Sequence, residues 1–458
     1  MKSSSRIESD SMGEMKVPES AYYGAETARA VLNFPISNLR FSKRFISVLG
    51  LIKKHSARTN LSLGLLSRNT SLAIQKASDE VFQNKLDSYF VVDIFQTGSG
   101  TSTNMNANEV IGNRAGEILG GKRGEKKVHP NDHVNLGQSS NDVVPTAIHI
   151  AGLYEITHSL LPALTELHGA LLKKSKEFKN VWKIGRTHLQ DAVPMTLGQE
   201  FGGYASQIEN ATSRLLETKN VLEELALGGT ALGTGVNTHK EFAKRTIVGI
   251  AKELKLNLRE TKNHFSAQSN IDAVIEVSGA LRGVAIATVK IASDIRLLGS
   301  GPRAGLGEII LPATQPGSSI MPGKVNPVMC EMVIQVGAQV IGNDTTIAFS
   351  ATQGNFELNT MFPVVAYNFL QSIDLLTNAS HVFAKRCISG IKANKKVCEA
   401  NIEKSLALAT FLVPALGYDV SAKIAKVAHE SGRTIREVAL EISGLNKKQI
   451  DTLLKFRN

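Results

Sequence analysis

Gly317-Ser318-Ser319-Ile320-Met321-Pro322-Gly323-Lys324-Val325-Asn326-Pro327 sets two adjacent hydroxyls, an amine and a carboxamide on one short stretch of backbone. Pro316, Pro322 and Pro327 stiffen that backbone, while Gly317 and Gly323 loosen it. Proline sets φ and removes a donor; glycine reaches angles that other residues avoid and lets a ligand come close to the chain. Such a segment suits a mobile clasp over an anion, with Lys324 as point charge and Asn326 as neutral donor. Composition alone also allows a plain surface turn. A phosphate-binding P-loop is excluded, because it needs four residues between its glycines and a hydroxyl residue after the lysine. Here five intervene and Val325 follows.

Beyond the clasp, helical text dominates. A run begins near Val328 and continues past Ile341. Another extends from Asp142 to about Phe178, with Ile148, Leu153, Ile156, Leu160, Leu164, Leu167 and Leu171 at helical spacing. Ser140 or Asn141 can cap its start, Pro145 sits in the first turn, and Pro162 is predicted to bend it. Further runs span roughly Leu197–Leu227 and Ala267–Leu298. The last is apolar on nearly every face, so it must be buried among other helices. One subunit would struggle to cover elements of this length, which predicts a bundle completed by other copies of the chain. Shorter helices are predicted over Ser42–Gly64, Ser71–Lys85 and Lys385–Leu406. From Ser421 the tail reads as small helices ending in a Leu-Asn-Lys-Lys turn. Strand signals are weak throughout.

The 458 residues are 42% hydrophobic and 20% charged, the profile of a globular rather than a disordered chain. A net charge of +11 fits an anionic substrate or a nucleic acid. The basic clusters are short and scattered, and with only 5% aromatic residues no single-strand-binding interleaving exists, so nucleic acid is not an expected partner. Cys330, Cys387 and Cys398 are few, odd in number and far apart, which argues for a reducing compartment and against a disulfide framework or zinc ribbon. The first eighteen residues lack the apolar core of a secretory signal and carry too many acids for a transit peptide. The longest uncharged run, Leu358 to Ile373, is too short to span a bilayer. The expected location is cytoplasmic, without membrane contact.

Four more segments share the clasp's small, polar character: Thr97-Gly-Ser-Gly-Thr-Ser-Thr-Asn-Met-Asn106, His129-Pro-Asn-Asp-His133, Gln138-Ser-Ser-Asn-Asp142 and Gly185-Arg-Thr-His-Leu-Gln-Asp191. Each has a bland reading, as a loop, a helix cap or a packed histidine. Together they supply hydroxyl and amide donors and free helix N-termini, the equipment for holding carboxylates without a metal.

With Gly228-Gly-Thr230 added, these motifs resemble the fumarase/aspartase superfamily, and within it the class II fumarases most closely. The resemblance runs from near Arg6 to near the C-terminus. It implies a mainly α, three-part elongated subunit: an N-terminal, mainly helical domain (1–138), a central long-helix bundle (139–365) and a small C-terminal helical domain (366–458). It implies a homotetramer whose active sites draw on three chains. The reaction implied is reversible hydration of fumarate to (S)-malate, a step of the tricarboxylic acid cycle, with no metal and no other cofactor. By the match Ser318 is the base, and His188, paired with Glu331, acts on the water side. Ser99, Thr101, Ser139, Ser140, Asn141, Thr187, Ser319, Lys324 and Asn326 would hold the two carboxylates. Lys126, His129, Asn131 and Asp132 match a secondary dicarboxylate site. Lys126 stands where arginine is one form of the family pattern, and Gly137 where serine is frequent. The rival reading within the superfamily is aspartate ammonia-lyase; Ser140 in Gln-Ser-Ser-Asn and Gly229 in Gly-Gly-Thr favour the fumarases. A catalytically silent helical oligomer is the rival of another class, opposed by the presence of Ser318, Lys324, Asn326, Thr187 and His188.

Overall fold

Helices carry almost the whole fold of this computed structural model, which describes residues 4–455. The outermost residues of the first and last expected domains, 1–3 and 456–458, lie outside the described residues. The chain divides into two compact units, and the divisions fall within its long helices. One comprises Met1–Pro162, Ala211–Ala285 and Val336–Thr377; the other comprises Ala163–Asn210, Ile286–Gln335 and Asn378–Asn458.

In the first unit an antiparallel hairpin, Ser5–Asp10 with Gly13–Pro18, pairs Ile7 with Lys16. The Lys43–Ser62 helix begins where the Ser42 hydroxyl accepts the Phe45 N–H, and the Arg68–Phe82 helix where Ser67 does the same for Thr70. Such caps satisfy donors that the first turn leaves orphaned. Phe45, Leu49, Leu51 and Ile52 are fully buried, each contributing about 1.5–3 kcal/mol relative to exposure.

The long run predicted from Asp142 is a helix over Ser140–Glu155, a π-turn over Ile156–Leu160 and a second helix over Leu161–Glu177. The cap is Ser139, one residue before the predicted pair, in a capping box with Asp142. Pro162 has no N–H for the carbonyl four residues back, and the ladder widens into the π-turn just upstream. The run predicted to reach Leu227 ends sooner, as helix Leu197–Thr218 followed by a 3-10 turn. The next is interrupted at Asn270, giving His264–Ser269 and Asp272–Leu298. The helix after the clasp is Val328–Ala351.

Two further predictions need correction. No helix spans Lys385–Leu406: one helix, Phe362–Arg386, stops there and another, Lys395–Lys404, starts after a 3-10 turn and a short strand. The Leu-Asn-Lys-Lys segment opens a final helix, Lys447–Leu453, because Asn446 and Gln449 form a capping box. Helices Thr101–Ile118 and Phe242–Leu254 were not anticipated either.

In the second unit Leu167, Phe178, Phe201, Tyr204, Ile295 and Phe383 share one core. Ile184, Leu408, Ile424, Val438 and Ile450 share another beneath the C-terminal helices. The longest strands here, Trp182–Thr187 and Gln190–Thr196, form an antiparallel hairpin. Among the described residues no helix is long and apolar enough to cross a membrane.

Candidate active site

Two helix N-termini meet in the first unit through a chain of hydroxyls. The Ser99 hydroxyl lies 2.7 Å from that of Thr101, and Thr101 lies 2.6 Å from that of Ser140. Thr101 opens the Thr101–Ile118 helix and Ser140 the Ser140–Glu155 helix. Ser139 caps the second helix, and the Asn141 carboxamide donates to the Ala231 carbonyl at 2.7 Å. Free N–H groups and two dipoles of the same sign therefore gather where Ser99, Thr101, Ser139, Ser140 and Asn141 stand, an arrangement that favours a carboxylate. Gly98 makes the approach possible. Its carbonyl accepts the Phe362 N–H at 3.1 Å, and a Cβ there would sit 2.0 Å from the Thr360 carbonyl oxygen.

In the second unit Thr187 and His188 occupy the tip of the 182–196 hairpin. Thr187 pairs with Gln190, so His188 and Leu189 form a two-residue turn with φ of 55° and 60°. Both angles are left-handed, the pattern of a type I′ turn, where Asn-Gly is the usual occupant. Neither residue is glycine, and holding them there costs on the order of 1–3 kcal/mol each. The turn presents Thr187, His188 and Leu189 at the surface of the chain.

The clasp, also in the second unit, is closed by the Gly317 N–H donating to the Lys324 carbonyl at 2.8 Å and the Asn326 carboxamide donating to the Gly317 carbonyl at 2.7 Å. Asn326 thus holds the loop's own neck, a job its predicted substrate role did not include. Inside the loop the Ser318 hydroxyl oxygen accepts the N–H groups of Ile320 at 3.2 Å and Met321 at 3.0 Å. Two donors on one oxygen stabilise its deprotonated form. Ser319 and Lys324 are exposed on the same loop, and Glu331 lies in the first turn of the helix that follows.

Lys126, His129 and Asn131 line a cavity of about 300 Å³ in the first unit; Asp132 is not part of its lining. His129 Nδ1 lies 3.1 Å from the Asp132 N–H nitrogen and 3.3 Å from the Asp132 carboxylate. Lys126 donates to the Ser9 carbonyl at 2.6 Å. Glu8, Asp10, Glu26 and Glu109 also line the cavity. Arg6 neutralises Glu8 and Arg29 neutralises Asp10, while burial raises the pKa of both Glu26 and Glu109.

Residues 13–342 match a lyase family model, and residues 408–458 match a model described as the fumarase C C-terminus. The class II fumarate hydratase of Halobacterium salinarum is 52% identical over 98% of this chain and 96% of its own length. The mitochondrial fumarate hydratase of Saccharomyces cerevisiae is 51% identical over 98% of this chain and 93% of its own. The chain belongs to the class II fumarase family. A solved class II fumarase from Schistosoma mansoni superposes with a TM-score of 0.95 at 41% identity, covering 99% of this chain and 98% of that one.

The fumarase motifs rest on buried polar groups that motif reading passed over. Asp142, fully buried, accepts N–H groups from Ser139 (2.9 Å), Gly228 (3.0 Å) and Thr230 (2.9 Å), tying the Gln-Ser-Ser-Asn and Gly-Gly-Thr segments together. Burial pushes its pKa up to about 6 against those three donors and nearby Lys53. Lys53, equally buried and pushed down to about 7 by burial, donates to Asn135 (2.8 Å) and Gln138 (3.0 Å). Under the histidine turn, Glu308 holds Arg186 at 2.7 and 3.1 Å, Lys183 at 3.3 Å and Asn401 at 3.2 Å. Two signals in the sequence pointed this way: a lysine placed directly after the mainly apolar Phe45–Ile52 stretch, and an acid at the third position of a capped helix.

Proposed function

We propose that the chain catalyses reversible hydration of fumarate to (S)-malate. The observation that carries this reading is the Ser318 hydroxyl, held under two backbone N–H groups in a lysine-bearing clasp, in a chain half identical to fumarate hydratases over nearly its full length. Read from malate, Ser318 removes a proton from the carbon next to one carboxylate. That carboxylate then takes up a second negative charge, and donors aimed at it lower the barrier by about 3 kcal/mol each. Lys324, with the hydroxyls of Thr187 and Ser319, supplies donors to it. Ser99, Thr101, Ser139, Ser140 and Asn141 receive the other carboxylate at their paired helix N-termini. His188, oriented by Glu331, protonates the departing hydroxide, so malate yields fumarate and one water. Asn326 keeps the clasp closed.

The assembly in this reading is a homotetramer with each site drawn from three chains. Two features support it: His188 stands exposed on a strained turn, and large apolar side chains project from the long helices. Phe349 is 61% exposed and Ile286 52%. Apolar exposure of this kind marks surfaces that bind protein. The three parts are 1–138, 139–365 and 366–458, the location is cytoplasmic, and Lys126, His129, Asn131 and Asp132 take a second dicarboxylate. Neither membrane nor nucleic acid is a partner.

One assay tests the reaction. Fumarate's conjugated absorbance should rise when malate is added and stay flat with aspartate. The opposite pattern would establish an aspartate ammonia-lyase instead. Sedimentation velocity tests the assembly, since a catalytically active monomer would end the three-chain site.

A further inference from the structure

The Lys43–Ser62 and Phe242–Leu254 helices present matching faces to a groove of about 550 Å³ in the first unit. His55, Arg58, Thr59 and Ser62 lie at spacings of three and four on the first helix. Arg245, Val248, Gly249 and Lys252 repeat those spacings on the second. Both sets therefore occupy single stripes facing the same space. Gly249 allows the close approach: a Cβ there would sit 2.4 Å from His55 Nδ1.

The groove's charge is lopsided. Its single acid, Glu253, already accepts Lys54 at 2.9 Å and His55 Nε2 at 2.9 Å. Burial lowers the His55 pKa, which disfavours a further positive charge on this ring. Arg58 and Lys252 are exposed and have no carboxylate partner among the described residues. Arg245 reaches Glu241 at 3.5 Å, but both are exposed and such a pair is worth little in water. Three cations thus line a concavity, with the Ser62 hydroxyl, 3.4 Å from the Arg245 guanidinium, at its side. Planar guanidinium groups match phosphoryl oxygens two at a time, and the volume falls in the range of small-ligand sites.

We propose that this groove binds a small anion bearing two or more phosphoryl groups. It contains none of the residues assigned to the hydration reaction, and it accounts for part of a net charge of +11 that those residues leave unexplained. Inorganic pyrophosphate is the probe, titrated calorimetrically into the folded full-length protein in moderate salt with saturating malate present. Binding should persist with malate and weaken by about tenfold in Arg58→Glu and again in Lys252→Glu, each of which removes a charge-assisted contact. Lys244→Glu, an equal charge change on the same helix outside the groove lining, should bind as the unaltered chain does. Adenosine triphosphate binding as tightly as pyrophosphate points to a nucleotide; pyrophosphate alone binding points to the free anion. Either result supports the site. No binding, displacement by malate, or an equal loss in Lys244→Glu overturns it. Both groove substitutions are at exposed positions, and unchanged malate turnover in the same preparations verifies folding.

Discussion

Arg186 and Glu308 form a bidentate ion pair, at 2.7 and 3.1 Å, two residues before the turn that carries His188. Glu308 is wholly buried, and Lys183 and Asn401 complete its coordination. The pair clamps the end of a strand whose tip is strained, so the position of the histidine depends on a carboxylate that never reaches the surface. Removing one partner of a buried pair costs about 3–5 kcal/mol, because the other charge is left without compensation. Glu308→Gln should therefore lower both the melting temperature and kcat, with KM changed less. Arg186→Lys should not restore activity, since an ammonium lacks the planar fork. Steady-state kinetics beside thermal denaturation checks this; an unchanged kcat in a folded Glu308→Gln would show that the clamp is structural only.

His188→Asn and Ser318→Ala should each reduce kcat by roughly a hundredfold or more while leaving KM for malate within a few-fold, as expected for groups that move protons. Leu189→Gly separates strain from chemistry. At φ of 60° glycine relieves the left-handed penalty, so this variant should be more stable by about 0.5–1 kcal/mol. Equal or lower stability in chemical denaturation would show that the turn is unstrained.

Asp142→Asn should raise KM rather than lower kcat. A carboxamide offers one acceptor oxygen where the carboxylate serves three N–H groups, and its own N–H₂ would face donors. The Ser139–Asn141 and Gly228–Thr230 segments would then separate, loosening the seat for one carboxylate. An increase of about tenfold in KM is expected from losing one to two such bonds. A kcat defect with KM unmoved would place Asp142 elsewhere in the reaction.

Lys53 gives the stability a pH dependence of known sign. Its pKa falls from 10.5 to about 7 on folding, so between those values the unfolded chain holds the proton that the folded chain has lost. Stability from this group therefore rises as pH climbs from about 7 towards 10.5, by at most about 1.4 kcal/mol per pH unit. Asp142 acts in the other window. Its pKa rises from 3.8 to about 6, so its contribution is full below 3.8 and is lost as pH increases through 6. Lys53→Met should abolish the alkaline rise, measured as the difference in unfolding free energy between the two proteins across pH 7–10. Parallel curves would mean that the amine stays charged in its pocket.

Gly98→Ala should disrupt the first unit locally, since the added carbon would meet the Thr360 carbonyl oxygen at 2.0 Å and backbone cannot rotate away. Gly229→Ala overlaps Gln268 Oε1 by as much, but that is the end of a side chain. The loss of stability should be clearly larger at 98 than at 229, by differential scanning calorimetry. Equal losses would show that the 360 segment yields.

What the sequence determined by itself was local. Repeats of three and four marked the long helical run around Ile148–Leu171, apolar residues on nearly every face marked the run Ala267–Leu298, and proline and glycine spacing marked the 317–327 clasp, because these signals live within a few residues. The class II fumarase motifs named the candidate residues. Tertiary structure decided what those residues touch. Thr101 meets Ser140 across 39 positions and Arg186 meets Glu308 across 122, separations at which no periodicity survives. It also turned Asn326 inward onto Gly317, set His188 on a left-handed turn, and ended the helix expected past Arg386. Each outcome depends on which donor lies nearest once the chain has folded, a competition that the order of residues does not record.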